Sequence, residues 1–229
     1  MPEGCDLMHH ILIVDDNAAI TDILARIVRQ EGLKATVAHS GEEALSLIRD
    51  ERPDLIFLDI IMEPIDGWET LEKIKQDAST RDIPVMMITG KTLDPGEVQE
   101  YSALFEDYIQ KPITRRNLCT VIRQFFRKEQ EIDGEVQKAR VGGADEQVLA
   151  EFRRLSRDIE VHKRLLLLMW NVYRTTDDDD SRKPAFLETI ARMEGTQNEM
   201  IGRLQEIRKH VPSMMTGRQG EPGAGDGND

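Results

Sequence analysis

Five residues, Leu55-Ile56-Phe57-Leu58-Asp59, constrain this chain more than any other stretch, because an unbroken apolar run is closed there by one carboxylate. Such a run suits a strand buried on both faces of a parallel sheet, which leaves Asp59 where the strand stops and the core opens. That edge is where open α/β sheets carry their chemistry. Three other runs end in the same fashion. His10 to Val14 closes on Asp15-Asp16, Ile83 to Ile88 closes on Thr89, and the run through Tyr108 and Ile109 leads to Lys111-Pro112. If the strands are parallel, these ends converge. Three carboxylates gathered there would raise one another's pKa values unless a divalent cation takes up the charge, and Mg2+, a hard ion with oxygen ligands, is the natural occupant.

Between the runs the apolar spacing turns helical. Ile20, Ile23, Leu24, Ile27 and Val28 mark a first helix ending near Gly32, a strand follows over 34–39, and a second helix runs from Gly41 to Asp50. A third begins after Asp66-Gly67 with Trp68, Leu71 and Ile74 on one side. Asp94-Pro95-Gly96-Glu97 reads as the capped start of a fourth, running to about Ala103. Arg115 to Lys128 is a fifth, with Leu118, Val121, Ile122, Phe125 and Phe126 as its stripe. Strand and helix in strict alternation predict a doubly wound, five-stranded parallel sheet with helices on both faces.

Taken together, Asp15-Asp16, Asp59 followed by Met62 and Asp66-Gly67, Thr89, and Lys111-Pro112 with Tyr108 three positions earlier resemble the receiver domain of two-component response regulators over residues 8–128. The resemblance implies a flavodoxin-like fold and an aspartyl-phosphate switch. It makes Asp59 the phosphoacceptor, Lys111 and Thr89 its catalytic partners, and Thr89 with Tyr108 the pair that reports the state. It also assigns Mg2+ to Asp15, Asp16, Asp59 and the backbone carbonyl of Ile61, and implies a sensor histidine kinase as phosphodonor and a cis Lys111-Pro112 bond. The domain would catalyse its own phosphorylation and dephosphorylation without being an enzyme in the ordinary sense. Three departures stand out. Ile61 and Lys91 occupy the two positions at which receivers tune phosphoryl lifetime, and an isoleucine cannot orient an attacking water, so slow self-dephosphorylation is expected. Leu104-Phe105 replaces a pair of small residues beside the surface on which receivers dock partners. Glu63-Pro64 stands where the family more often has proline first.

At 229 residues the chain has room for a second unit. Residues 129–145 are charged, contain Asp133-Gly134 and Gly142-Gly143, and read as a linker that can be helical in part. In 146–211 the period changes. Val148, Phe152, Leu155, Ile159, His162, Leu166, Met169 and Tyr173 alternate by four and three, and Phe186, Ile190, Met193, Gln197, Met200, Leu204, Ile207 and Val211 repeat the pattern after a polar stretch with four aspartates. An antiparallel helical hairpin of coiled-coil type is expected. Leu165, Leu167, Leu168 and Trp170 lie off the seam, so a homodimer or a partner helix is expected to cover them. Residues 212–229 read as a disordered tail.

A net charge of −13 and a pI near 4.9 argue against non-specific attraction to nucleic acid or anionic membrane. Cys5 and Cys119 form neither a metal motif nor a disulfide framework, the N-terminus carries no leader pattern, and no apolar stretch reaches spanning length, so a cytoplasmic protein is expected. The functional reading is a response regulator of a phosphorelay that switches protein–protein contacts through its helical region. Two alternatives remain: a phosphotransfer hairpin with His162 as acceptor, and a transcriptional regulator with an unrecognised output unit. The sequence around His162 lacks the acid that usually follows an acceptor histidine, and its seam position favours a polar residue that sets helix register, with Gln197 as its counterpart.

Overall fold

Five strands, β1 (His10–Val14), β2 (Lys34–Ala38), β3 (Leu55–Leu58), β4 (Val85–Thr89) and β5 (Asp107–Gln110), form one fully parallel sheet in the order β2-β1-β3-β4-β5. This computed structural model describes residues 9–90, 95–101, 103–175, 181 and 183–211. Readings placed on Cys5, Lys91, the Asp94 cap, the four aspartates of 177–180 and the tail from Pro212 lie outside the described residues. Every residue of β1, β3 and β4 is buried, as their unbroken apolar runs require in a sheet covered on both sides.

The helices divide between the faces. Helices α1 (Ala18–Gln30) and α5 (Arg115–Val141) cover one side, where Leu24, Val28, Leu118 and Ile122 meet Ile11, Phe57 and Ile88. Helices α2 (Gly41–Asp50), α3 (Gly67–Gln76) and α4 (Pro95–Tyr101) cover the other, where Ala44, Leu71, Ile74 and Val98 meet Leu12, Ile56 and Met87. Side chains of Asn17, Ser40, Asp66 and Thr114 cap α1, α2, α3 and α5 by accepting backbone N–H bonds.

The stretch 129–145 read as a linker is helical for most of its length, and the helix read as ending at Lys128 does not stop there. Helix α5 continues through it to Val141, leaving a short turn closed by Gly143 at φ +82°. Gly134 costs a helix about 1 kcal/mol. Ile132 and Val136 are buried against Leu149, Phe152 and Leu155, and each returns roughly 1.5–3 kcal/mol, so burial outweighs the glycine.

Helices α6 (Glu146–Thr175) and α7 (Lys183–His210) pack antiparallel, with Glu151 bound by Arg203 Nε at 2.7 Å near one end and Met169 packed with Phe186 and Ile190 near the other. Along the expected seam, Phe152, Leu155, Ile159, His162, Leu166 and Met169 are buried; Leu149 takes the buried place read for Val148. His162 does not pair with Gln197. Its Nδ1 lies 3.0 Å from the carbonyl oxygen of Asp158, one turn back on the same helix.

The pair does not stand apart from the sheet. Helix α6 packs on β5, the edge strand, and α7 reaches α4. Val161, Leu165, Leu166, Met169, Phe186 and Ile190 join one apolar cluster with Val98 and Phe105, while Leu104, Tyr108 and Leu168 pack against it. Much of the off-seam apolar surface of α6 is thus covered by the first 128 residues of the same chain, although Leu167 remains 65% exposed. Arg164 Nη1 donates to the Asp107 carboxylate, and Arg157 Nε donates to Glu129 at 2.9 Å, tying α6 to β5 and α5 by charge as well.

Candidate functional site

The sheet delivers the acids. The backbone N–H of Asp59 donates to the Val14 carbonyl at 2.9 Å, that of Asp15 to Ala38 at 3.2 Å, and that of Lys111 to Thr89 at 2.9 Å. Each bond extends a strand ladder by one step, so the residue after each strand is held at the same edge. Asp15 and Asp59 are 2% and 5% exposed, whereas Asp16 is open to solvent. Lys111 Nζ donates to Asp15 Oδ2 and to Asp59 Oδ2, both at 2.7 Å. One ammonium therefore spans two buried carboxylates that lie 44 positions apart in the chain.

The charges shape one another. Burial pushes the Asp15 carboxyl above its ordinary range, against the lowering contributed by Lys111 and the Asn17 N–H. Burial works against the Lys111 ammonium too, but its hydrogen bonds to Asp15 and Asp59 outweigh that and carry its pKa upward. Oxygens of Asp15, Asp16 and Asp59 lie within 4.8 Å of one another. A magnesium ion with oxygens at about 2.1 Å spans up to about 4.2 Å between opposite ligands, so small side-chain rotations would close this set on the ion. The donor set is all oxygen, as that ion prefers.

The remaining expected residues surround the trio. Thr89 is fully buried at the end of β4. Tyr108 pairs with Met87 on β4, and burial pushes its hydroxyl up to about 12, with the charges of Glu97 and Asp59 adding to the rise. Ile61 is 61% exposed, and its N–H approaches Asp59 Oδ1 at 3.4 Å. Lys111-Pro112 is cis, and so is Glu63-Pro64.

Gly67 has a role that the motif alone did not explain. A Cβ there would lie 2.1 Å from the Asp59 carbonyl oxygen, so only glycine lets α3 start this close to the acid-bearing loop. Sequence reasoning also passed over Arg164 and Asp107. The signal for α6 docking was a second stripe, Val161, Leu165 and Leu168 at spacings of four and three, running beside the seam.

With this geometry the comparisons agree. Residues 11–123 match the response regulator receiver domain. A receiver domain protein (CheY-like) from Methanospirillum hungatei JF-1 is 30% identical, with 54% of this chain covering 98% of that one at a TM-score of 0.50. This chain belongs to the response regulator receiver family. The N-terminal domain of a response regulator receiver protein from Methanoculleus marisnigri JR1 is 48% identical over 51% of this chain and 95% of that one, with a TM-score of 0.45. The transcriptional regulatory protein CpxR of Escherichia coli K12 is 36% identical over 53% of this chain and 50% of its own length. The chain spans about half the length of the curated relatives it matches. Residues 128–215 match a different family, Metanogen output domain 2, which takes in the end of α5 and all of α6 and α7. No helix among the described residues is long and apolar enough to cross a membrane.

Proposed function

We propose that this response regulator takes a phosphoryl group on Asp59 and passes the change to its helical pair. The observation that carries the reading is the Lys111 ammonium shared between Asp15 and Asp59, with Asp16 beside them. An Asp59 carboxylate oxygen would form the new P–O bond as the donor's P–N or P–O bond breaks, the leaving group keeping the electron pair. Mg2+ held by Asp15, Asp16, Asp59 and the Ile61 carbonyl would supply charge neutralisation at the phosphoryl oxygens. Lys111 would exchange its bond to Asp59 for one to a phosphoryl oxygen, and the Thr89 hydroxyl would donate to another. The phosphodonor is a sensor histidine kinase, and the compartment is the cytoplasm.

Tyr108 is the link to output. It packs against the same apolar cluster as Val161 and Leu165, so a change in its position is felt by α6 directly. A second copy of the chain, meeting Leu167 and Leu187 on the exposed side of the pair, is one candidate for the partner that reads the change. Phosphotransfer to His162 finds no support. His162 is 8% exposed and lies two residues from Arg164, which meets the start of β5. Asp59 follows the end of β3, two strands away, which places the groups roughly 15 Å apart at strand spacings of about 4.8 Å and rises of about 3.3 Å. The match with CpxR takes in only 53% of this chain and 50% of that one, so regulation of transcription does not carry over with it.

Incubation with acetyl phosphate and Mg2+ is expected to add one phosphoryl mass per chain, and chelation of the metal to prevent it; labelling that ignores the metal would overturn the site. An Ile61→Asn change is expected to speed loss of the label severalfold by giving water a hydrogen-bonding partner at the exposed rim, and an unchanged decay would count against that role.

A further inference from the structure

A cleft of about 1330 Å3 opens between the receiver and α6 at the end of the sheet opposite Asp59. Its receiver wall comes from segments that enter strands: Arg52 ahead of β3, Arg81 and Asp82 ahead of β4, Glu106 ahead of β5, with Lys75 from α3. Its other wall is one face of α6, bearing Arg153, Arg154, Arg157 and Asp158, and Met200 adds an edge from α7. Six cationic side chains from four separate segments therefore face a common space, in a chain whose net charge is −13.

The pairing of these charges leaves a positive balance. Arg153 is held by Asp133 at 2.7 Å and Arg157 by Glu129, neither of which is an α6 residue. Lys75 Nζ donates to the carbonyls of Arg81 and Ile83 at 3.1 and 2.8 Å, and Arg52 donates to the Ser79 carbonyl, so these two cations meet no carboxylate at ion-pair distance among the described residues. The guanidinium groups of Arg81 and Arg154 make no hydrogen bond or ion pair among the described residues. On the acidic side, Glu151 is engaged by Arg203. That leaves Asp82, Glu106 and Asp158 opposite Arg52, Lys75, Arg81 and Arg154. Burial pushes the carboxyls of Glu106 and Asp158 above their ordinary range and the Lys75 ammonium below its own, with Lys75 and Glu106 each opposing the other's shift. Behind the charges lies an apolar floor of Phe105, Leu155 and Val161, all buried.

We propose that this cleft binds a phosphate-bearing small molecule of nucleotide size that bridges the receiver and the helical pair. Guanidinium groups on facing walls suit tetrahedral oxyanions, which accept forked N–H pairs from several directions. The apolar floor suits a ring attached to the phosphate. A nucleic-acid strand is disfavoured, since a long polyanion would extend past the cleft over a surface of like sign. The ligand sits away from the phosphoacceptor, so it touches the switch only through the position of α6.

The test is thermal unfolding of the full chain in chelator-treated, Mg2+-free buffer with millimolar ATP, inorganic tripolyphosphate or adenosine, because a ligand of the native state raises Tm. A rise with ATP and tripolyphosphate but not with adenosine is expected. A larger rise with ATP assigns the floor to a base, and equal rises assign the site to the phosphate chain alone. The double change Arg81→Glu/Arg154→Glu is expected to abolish the rise, and the milder Arg81→Gln/Arg154→Gln to remove most of it, with far-UV circular dichroism checking the fold. No rise with either phosphate probe, or a rise undiminished in both variants, would overturn the proposal.

Discussion

An Asp59→Ala protein is expected to take up no phosphate from acetyl phosphate under conditions that label the native chain stoichiometrically. The effect is all or none because the other carboxylates are differently committed: Asp16 is exposed to solvent, and Asp15 is 2% exposed with Oδ1 accepting the Asn17 N–H and Oδ2 held by Lys111. The substitution should leave the sheet intact, since the strand before it is anchored by Leu55 to Leu58, all buried. It removes one of the two acids that Lys111 bridges, so the ammonium moves fully to Asp15. Intact-mass measurement after labelling reads the outcome, and stoichiometric label persisting in the variant would assign the phosphoacceptor elsewhere.

The second large effect is expected at Leu165. This side chain is 2% exposed in the cluster that joins α6 and α7 to Val98 and Phe105. Leu165→Glu gives up roughly 1.5–3 kcal/mol of burial and adds the cost of placing a carboxylate among apolar groups. Undocking relieves both, because it returns residue 165 to water, whereas staying docked relieves neither. The helical pair is therefore expected to leave β5, and amide hydrogen exchange at β5 and α4 to rise severalfold. Acetyl phosphate labelling of the same protein separates undocking from collapse, since an unfolded receiver would not label. Unchanged protection at β5 would mean that α6 does not hold this face.

These two residues also mark how far the sequence could be read. Asp59, Asp15, Thr89 and Lys111 were legible because each ends an apolar run, and a parallel sheet has only one edge at which such ends can meet. The helix pair was legible from its four-and-three spacing. Its placement was not. Leu165 and Leu168 announced a surplus of apolar surface, but nothing in a linear pattern says whether that surplus meets another chain or the same one. Arg164 and Asp107 are complementary only because the fold brings together positions 57 apart. The unbroken run of the helix through 129–141 was hidden for a different reason: Gly134 is a local breaker signal, and the packing that overrides it comes from Leu149 and Phe152 on the next helix. In each case the missing term was tertiary burial.

The receiver and the helical pair share one apolar cluster, and Tyr108 packs against that cluster while its hydroxyl feels the charge of Asp59. If phosphorylation draws Tyr108 toward Thr89, the α6-facing side of β5 loses a packing partner and the dock loosens. Hydrogen exchange with and without beryllofluoride and Mg2+ measures this directly. Faster exchange across Val161 to Leu168 on adding the mimic, absent in the Asp59→Ala protein, is the predicted result. Identical exchange in α6 and β5 with the mimic bound at Asp59 would contradict the coupling of switch to helices.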